Sequence, residues 1–216
     1  MKFGDGYSKG DQTSRRHGSL YFTDDTVVFK VEDTFFRVHR YFFKRYSKIF
    51  ATMFSLPPEP GKPMEGQSDD HPIRLEDVKS QDFERLLLLF YPVNANGDLS
   101  TLDEWISILT LTSKWEFATY RDLAISRLSQ LASPVDRIIL ARRFDVISWI
   151  VPAYLELCKR DQALTLQEGM RLGLKDVILL AEIRQTIRWN SRVSVPDMDI
   201  NSLIDRRLRS SEEIVP

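Results

Sequence analysis

Hydrophobic and polar positions change period several times along the chain, and each change predicts an element. Val27, Phe29 and Val31 alternate with Val28, Lys30 and Glu32, a period of two carried by β-branched and aromatic residues. Glu32-Asp33 then offers a two-residue turn, without the glycine that primed hairpin turns favour. Phe36 and Val38 alternate with Arg37 and His39, so a β-hairpin is predicted with strands over about 27–32 and 35–39. From Tyr41 the spacing becomes three and four, through Phe42, Phe43, Tyr46, Ile49, Phe50, Met53 and Phe54. Ser47 in the middle can accept a backbone N–H as an N-cap, which splits this stretch into two short helices.

Residues 55–72 hold five prolines and two glycines. They predict a long loop, extended at Pro57-Pro58, with a mobile surface segment over 57–71 that joins no ladder. Ile73 and Leu75 around Arg74 predict a third strand at about 72–76. Only helical patterns follow. Ser80 is placed to cap Phe83–Tyr91, which Pro92 and Asn96-Gly97 end. Ser100 or Thr101 caps a helix carrying Leu102, Trp105, Ile106, Leu109 and Trp115, with Asp103 and Glu104 suited to its positive end. The next helix carries Tyr120, Leu123, Ala124, Leu128 and Leu131. The expected core is Val27, Phe29, Phe36, Val38, Phe43, Phe50, Phe83, Leu86, Leu87, Ile106 and Leu109.

Ser133-Pro134-Val135-Asp136 reads as a helix start: a capping serine, proline in the first helical position and an acid in the first turn. Asp145 is read as a cap for Val146–Ile150, and Pro152 as the first residue of a helix through Lys159. Thr165-Leu166-Gln167-Glu168 is a capping box whose helix stops at Gly173, a left-handed C-terminal residue. Leu174–Arg188 is the last periodic segment. The division expected is a disordered leader over 1–19, a first domain over 20–131, a helical extension over 132–190 that docks on it, and a flexible tail over 191–216. The order hairpin, two helices, strand, helices is α+β and is not the strand–helix alternation of a parallel doubly wound sheet.

Composition narrows the function. With 30 basic and 31 acidic side chains in 216 residues, the net charge of -1 argues against a generally basic nucleic-acid binder or a membrane-surface protein. One cysteine, Cys158, allows no intrachain disulfide and suits a reducing compartment, the cytoplasm or nucleus or both. The opening residues have no apolar signal segment, and the longest apolar run, Leu86 to Tyr91, is too short for a bilayer. There is no phosphate-cradling glycine loop, no nucleophile elbow, no paired-cysteine or His-Glu-x-x-His motif, and the three histidines are scattered. Asp24, Asp25, His39 and Ser47 could be drawn as a hydrolytic constellation, but each has a simpler role as turn acid, strand end or helix cap. No catalytic residue, metal ligand, cofactor or small-molecule substrate is expected. Arg184, Arg188, Arg192, Arg206, Arg207 and Arg209 cluster near the C-terminus, which is the feature behind an alternative reading as a nucleic-acid-associated or transcription-linked regulator.

The run Phe36-x-Val38-His39-Arg40-x-x-Phe43-x-x-x-Ser47-x-x-Phe50-x-x-Met53-Phe54 resembles the BTB/POZ domain, as do Asp25-Thr26-Val27-Val28-Phe29 before it and Ile73-Arg74-Leu75 and Asp82 to Pro92 after it. The resemblance covers about 20 to 131. Tyr91-Pro92, Glu104-Trp105 and Leu172-Gly173-Leu174 are similar to a fungal group of that family with a helical extension. The resemblance implies a short three-stranded sheet capped by helices, working as a protein–protein interaction module, an adaptor or scaffold. It implies protein partners, among them a cullin ubiquitin-ligase scaffold or a second BTB chain. His39 is expected at the strand end, bonded to backbone. Asp25 and Arg40 match a pair that lines a charged pocket near the dimer interface in some members. Cullin-recruiting members often carry apolar-x-Glu between Met-Phe and the next strand. The nearest residues here are Leu56 with Glu59, and Met64 with Glu65, and neither pair has that spacing. Members with strand-swapped dimers carry a helix and strand before the hairpin, which residues 1–19 do not resemble.

Overall fold

The computed structural model describes residues 25–57, 60, 61, 63–94, 97, 99–189 and 196–212, with the side chains of 188, 189 and 210–212 left aside. The hairpin forms as the alternation predicts. Strands β1 (Thr26–Val31) and β2 (Thr34–His39) pair antiparallel, with Val27 opposite Val38 and Phe29 opposite Phe36. Strand β3 (Ile73–Arg74) adds to β1 in parallel, giving the order β2-β1-β3. Helices α1 (Arg40–Tyr46) and α2 (Lys48–Met53) break at Ser47, whose hydroxyl accepts the Phe50 N–H at 3.1 Å. That hydroxyl also donates to the Trp115 carbonyl at 2.6 Å, so one side chain caps α2 and ties it to the end of a later helix.

Three more helices build the first core: α3 (Ser80–Leu88), α4 (Leu102–Lys114) and α5 (Ala118–Leu131). Phe29, Phe43, Phe50, Phe83, Phe90, Trp115 and Phe117 meet there as a chain of mostly edge-to-face rings. Phe36 and Ile106, expected in this core, lie at its margin, while Ile108 is fully buried. Val28, read as outward, is buried as well. Its N–H donates to the Gly66 carbonyl at 2.8 Å, and its cross-strand partner Arg37 reaches Asp69 at 3.1 Å, so the loop closes over it.

That contact corrects the expectation of a mobile loop over 57–71. Gly66 is buried at φ +81°, its N–H donates to His71, and Ser68 pairs with His71 in a short bridge. The second half of the segment is a formed part of the domain.

Helix α6 (Pro134–Phe144) starts on the Ser133–Asp136 capping box. Asp145 is its left-handed C-cap at φ 55°, not the cap of a following helix. A 3₁₀ turn (Ile147–Trp149) runs into α7 (Ile150–Lys159), so Pro152 sits inside the first turn, where its missing N–H leaves no helical bond unmade. Helix α8 (Leu166–Leu172) starts on the Thr165–Glu168 box. Gly173 has the expected positive φ, 89°, but ψ of 161° makes it an extended turn residue and not a left-handed one. Helices α9 (Leu174–Trp189) and α10 (Asp197–Glu212) follow.

Two apolar clusters result. Leu140, Ala141, Val146 and Trp149 belong to the first. Val135 and Ile138 of the same α6 join Tyr154, Leu157, Cys158, Leu180, Ile183, Ile200 and Ile204 in the second. Helix α6 is therefore shared, and the extension is docked. Helix α10 overturns the expected flexible tail over 191–216 for residues 197–212: Ile200 and Ile204 are buried against α7 and α9. The leader over 1–19 lies outside the described residues.

Candidate functional site

Asp25 and Arg40 are brought together where β1 begins and α1 starts. The Arg40 N–H donates to the Asp25 carbonyl at 2.9 Å, and its Nε lies 3.4 Å from the Asp25 carboxylate. The guanidinium also lies over the Phe54 ring, 4.8 Å from its centre. Arg40 is thus mostly buried and held on three sides, while Asp25 faces solvent. Leu56 projects at the end of α2, 64% exposed. Met64 is half-buried and takes a contact from Gln67 Nε2 at 3.6 Å; Glu65 is exposed. Glu59 lies outside the described residues.

His39 ends β2, as expected, but its partner is a phenol rather than backbone. The Tyr91 hydroxyl accepts the His39 N–H at 2.8 Å and lies 3.0 Å from its Nδ1. Burial pushes the Tyr91 hydroxyl up, and the bond from the His39 N–H partly opposes it. Ser47 is buried and committed to Phe50 and Trp115, so it is no nucleophile beside His39. Asp24 lies outside the described residues. Among the described residues no three His, Cys, Asp or Glu side chains assemble as a metal site. A shallow groove of about 290 Å³ runs past Lys30, Glu32, Arg74 and Asp77, charged with both signs and open to solvent. Cys158 is buried among the second cluster, and burial pushes its thiol up to about 11, away from the reactive thiolate.

The extension holds a buried ionic group that joins three helices. Asp176, 1% exposed, accepts from Tyr154 at 2.5 Å and pairs in fork geometry with Arg142, joining α6, α7 and α9. Burial, the largest cause, and the neighbouring carboxylate push the Tyr154 hydroxyl well above its ordinary range. This group fixes helices and offers no free acid or base.

The C-terminal arginines do not form one free basic face. Arg184 is buried, donating to the carbonyls of Leu157 and Gln162, and Arg207 lies 3.6 Å from Glu182. Arg192 lies outside the described residues. Sequence reasoning passed over a different group of cations, Lys44, Arg45 and Lys48, exposed at the elbow of α1 and α2. Its signal was the absence of any Asp or Glu between Thr34 and Pro58.

A small three-stranded sheet under a ring-packed helical layer defines the class as an α+β domain. The BTB/POZ domain family model matches residues 14–130, more than half of the chain, and the chain belongs to that family. The match begins inside the segment read as a leader. No curated protein matches the chain. Membership in this family makes the chain a protein–protein interaction module, a class whose members generally work without catalysis. No helix among the described residues is long and apolar enough to cross a membrane.

Proposed function

We propose that the chain is a non-enzymatic adaptor or scaffold that presents its BTB domain and its helical extension to partner proteins as one continuous surface, in the cytoplasm or nucleus. The observation that carries this reading is the sharing of α6 between the two apolar clusters. A helix with both faces buried cannot swing as a linker, so partner-binding faces on either side keep a fixed relation. The partner class to test first is a cullin-type ubiquitin-ligase scaffold. Leu56 and Glu65 are exposed near the place where cullin-recruiting members carry apolar-x-Glu. Their separation in sequence argues for a contact of different geometry from those members.

Titration calorimetry of the full chain against a cullin N-terminal domain tests the partner, with Leu56→Ala and Glu65→Ala as controls. Limited proteolysis near Ser133 tests the continuous surface. A fragment 1–132 that still pulls down every partner of the full chain removes the extension from the binding surface. Charge consumption inside the extension leaves nucleic acid as the weaker reading. A steep loss of DNA affinity with salt would restore it.

A further inference from the structure

The segment from Thr34 to Pro58 carries Arg37, Arg40, Lys44, Arg45 and Lys48 and no carboxylate, in a chain whose net charge is -1. Two of these cations are occupied: Arg37 with Asp69, and Arg40 with Asp25 and Phe54. The other three are exposed, and among the described residues none has a carboxylate within ion-pair distance. Asp25, beside the start of α1, is engaged by Arg40.

Lys44 and Arg45 have a local reason to be basic, since they end α1 and meet the negative end of its dipole. Lys48 has none. It is the first residue of α2, whose first turn holds no acid, so its charge opposes the dipole there. A cation kept at a locally unfavourable place, near two others in sequence and with no described carboxylate in ion-pair reach, points outward for its compensation. The same elbow exposes apolar side chains. Backbone bonds continue the helical turn past α2 to Leu56, which puts Ile49, Thr52 and Leu56 on one side, all exposed.

We propose that this elbow, Lys44, Arg45 and Lys48 around Ile49 and Leu56, docks an acidic amphipathic segment of a partner protein. The inference rests on the interaction-module reading and names the chemistry of one partner. A second copy fits worse, because a two-fold interface at this face sets the three cations against their own copies. Nucleic acid fits worse too. Three cations give few phosphate contacts, and the exposed Ile49 and Leu56 are aliphatic and offer no ring face to a base.

The test uses the full chain and a fluorescein-labelled peptide of repeated Glu-Glu-Leu, read by anisotropy at low and high salt. Wild type should bind, more weakly as salt rises. The triple variant K44E/R45E/K48E should lose about tenfold or more in affinity. Ile49→Ser with Leu56→Ser should weaken binding at high salt, where the charges are screened. The altered cations are exposed, so an unchanged thermal midpoint certifies the triple variant, with K44Q/R45Q/K48Q in reserve should reversal unfold it. Equal affinity of a folded charge variant and wild type overturns the proposal. So does an oligonucleotide that binds tighter through the same three residues, or a wild-type dimer that the variant loses. Partner capture separates the two levels: if wild type and variant retain the same proteins, the elbow fails and the module reading stands, whereas a wild type that retains none fails both.

Discussion

The Glu32 carboxylate accepts the backbone N–H of Ser80 at 2.9 Å, so the hairpin turn caps a helix 48 residues further along the chain. Ser80 was expected to be the cap and is the first helical residue instead; Lys79 in the cap position offers no side-chain acceptor. The turn geometry makes this contact, because Glu32 stands at φ 52° between the two strands. The Ser80 N–H is the main cause that holds the Glu32 carboxyl below the usual carboxylate range. A carboxyl depressed on folding adds stability above its unfolded pKa and loses it as pH falls through the folded value. Glu32→Ala should therefore lower the denaturant midpoint at neutral pH, and the gap to wild type should close in strong acid. A gap that stays constant with pH would show that only packing had changed.

Phe50 is the ring most worth removing. It meets Phe29, Phe43 and Trp115 edge-on, 5.0 to 5.7 Å between centres, and is 2% exposed. Phe50→Ala leaves a hole that rigid neighbouring rings cannot fill and should cost about 3–5 kcal/mol. Urea unfolding measures it. A wild-type midpoint would mean that α2 does not close the core.

These two sites show what could be read in advance. Ser47, Thr165 and Ser133 act within three or four residues of themselves, so spacing alone located their caps. The Glu32 cap, the burial of Val28 and the seat of Gly66 depend on segments distant in sequence meeting in space, which no local period encodes. Helix α10 had a readable signal. Ile200, Ile204 and Leu208 recur every fourth residue, but the charges between them made the segment look like a solvated tail. In the candidate site, the meeting of Asp25 and Arg40 followed from the family resemblance. The cations of the α1–α2 elbow were legible only by asking which charge type was missing.

Gly66 tests the ordered half of the loop. A Cβ there would stand 2.6 Å from Val27 Cγ2 and 3.0 Å from Ile73 Cδ1, both in the core, and the positive φ adds strain. Gly66→Ala should destabilise by about 1–3 kcal/mol. Replacing residues 64–71 by a Gly-Ser connector should also destabilise, whereas shortening 57–63 should cost little, since loop closure depends weakly on length. Thermal midpoints of the three variants decide it. If replacing 64–71 costs as little as shortening 57–63, the Val28–Gly66 contact contributes nothing.

Asp176 and Cys158 together report on the extension. Asp176 receives Arg142 and Tyr154 across three helices, and Cys158 lies in the same cluster, one helical turn beyond Tyr154. Asp176→Ala leaves a guanidinium and a phenol without their acceptor. Because Arg142 is 44% exposed and can turn to water, the cost should fall near about 3 kcal/mol, the low end for a broken buried pair. The thiol makes this visible locally. Its raised pKa of about 11 keeps it protonated in the folded chain, a contribution complete below the unfolded value and lost as pH climbs toward the folded one. Native protein at mildly alkaline pH should therefore react with a thiol reagent only through opening of the second cluster. In Asp176→Ala the labelling rate should rise while unfolding of the first core, followed by tryptophan fluorescence with Trp189 of α9 replaced by Phe, moves less. Equal shifts in both would mean that α6 couples the two clusters into a single cooperative unit. An unchanged labelling rate would mean that Asp176 does not hold the extension closed.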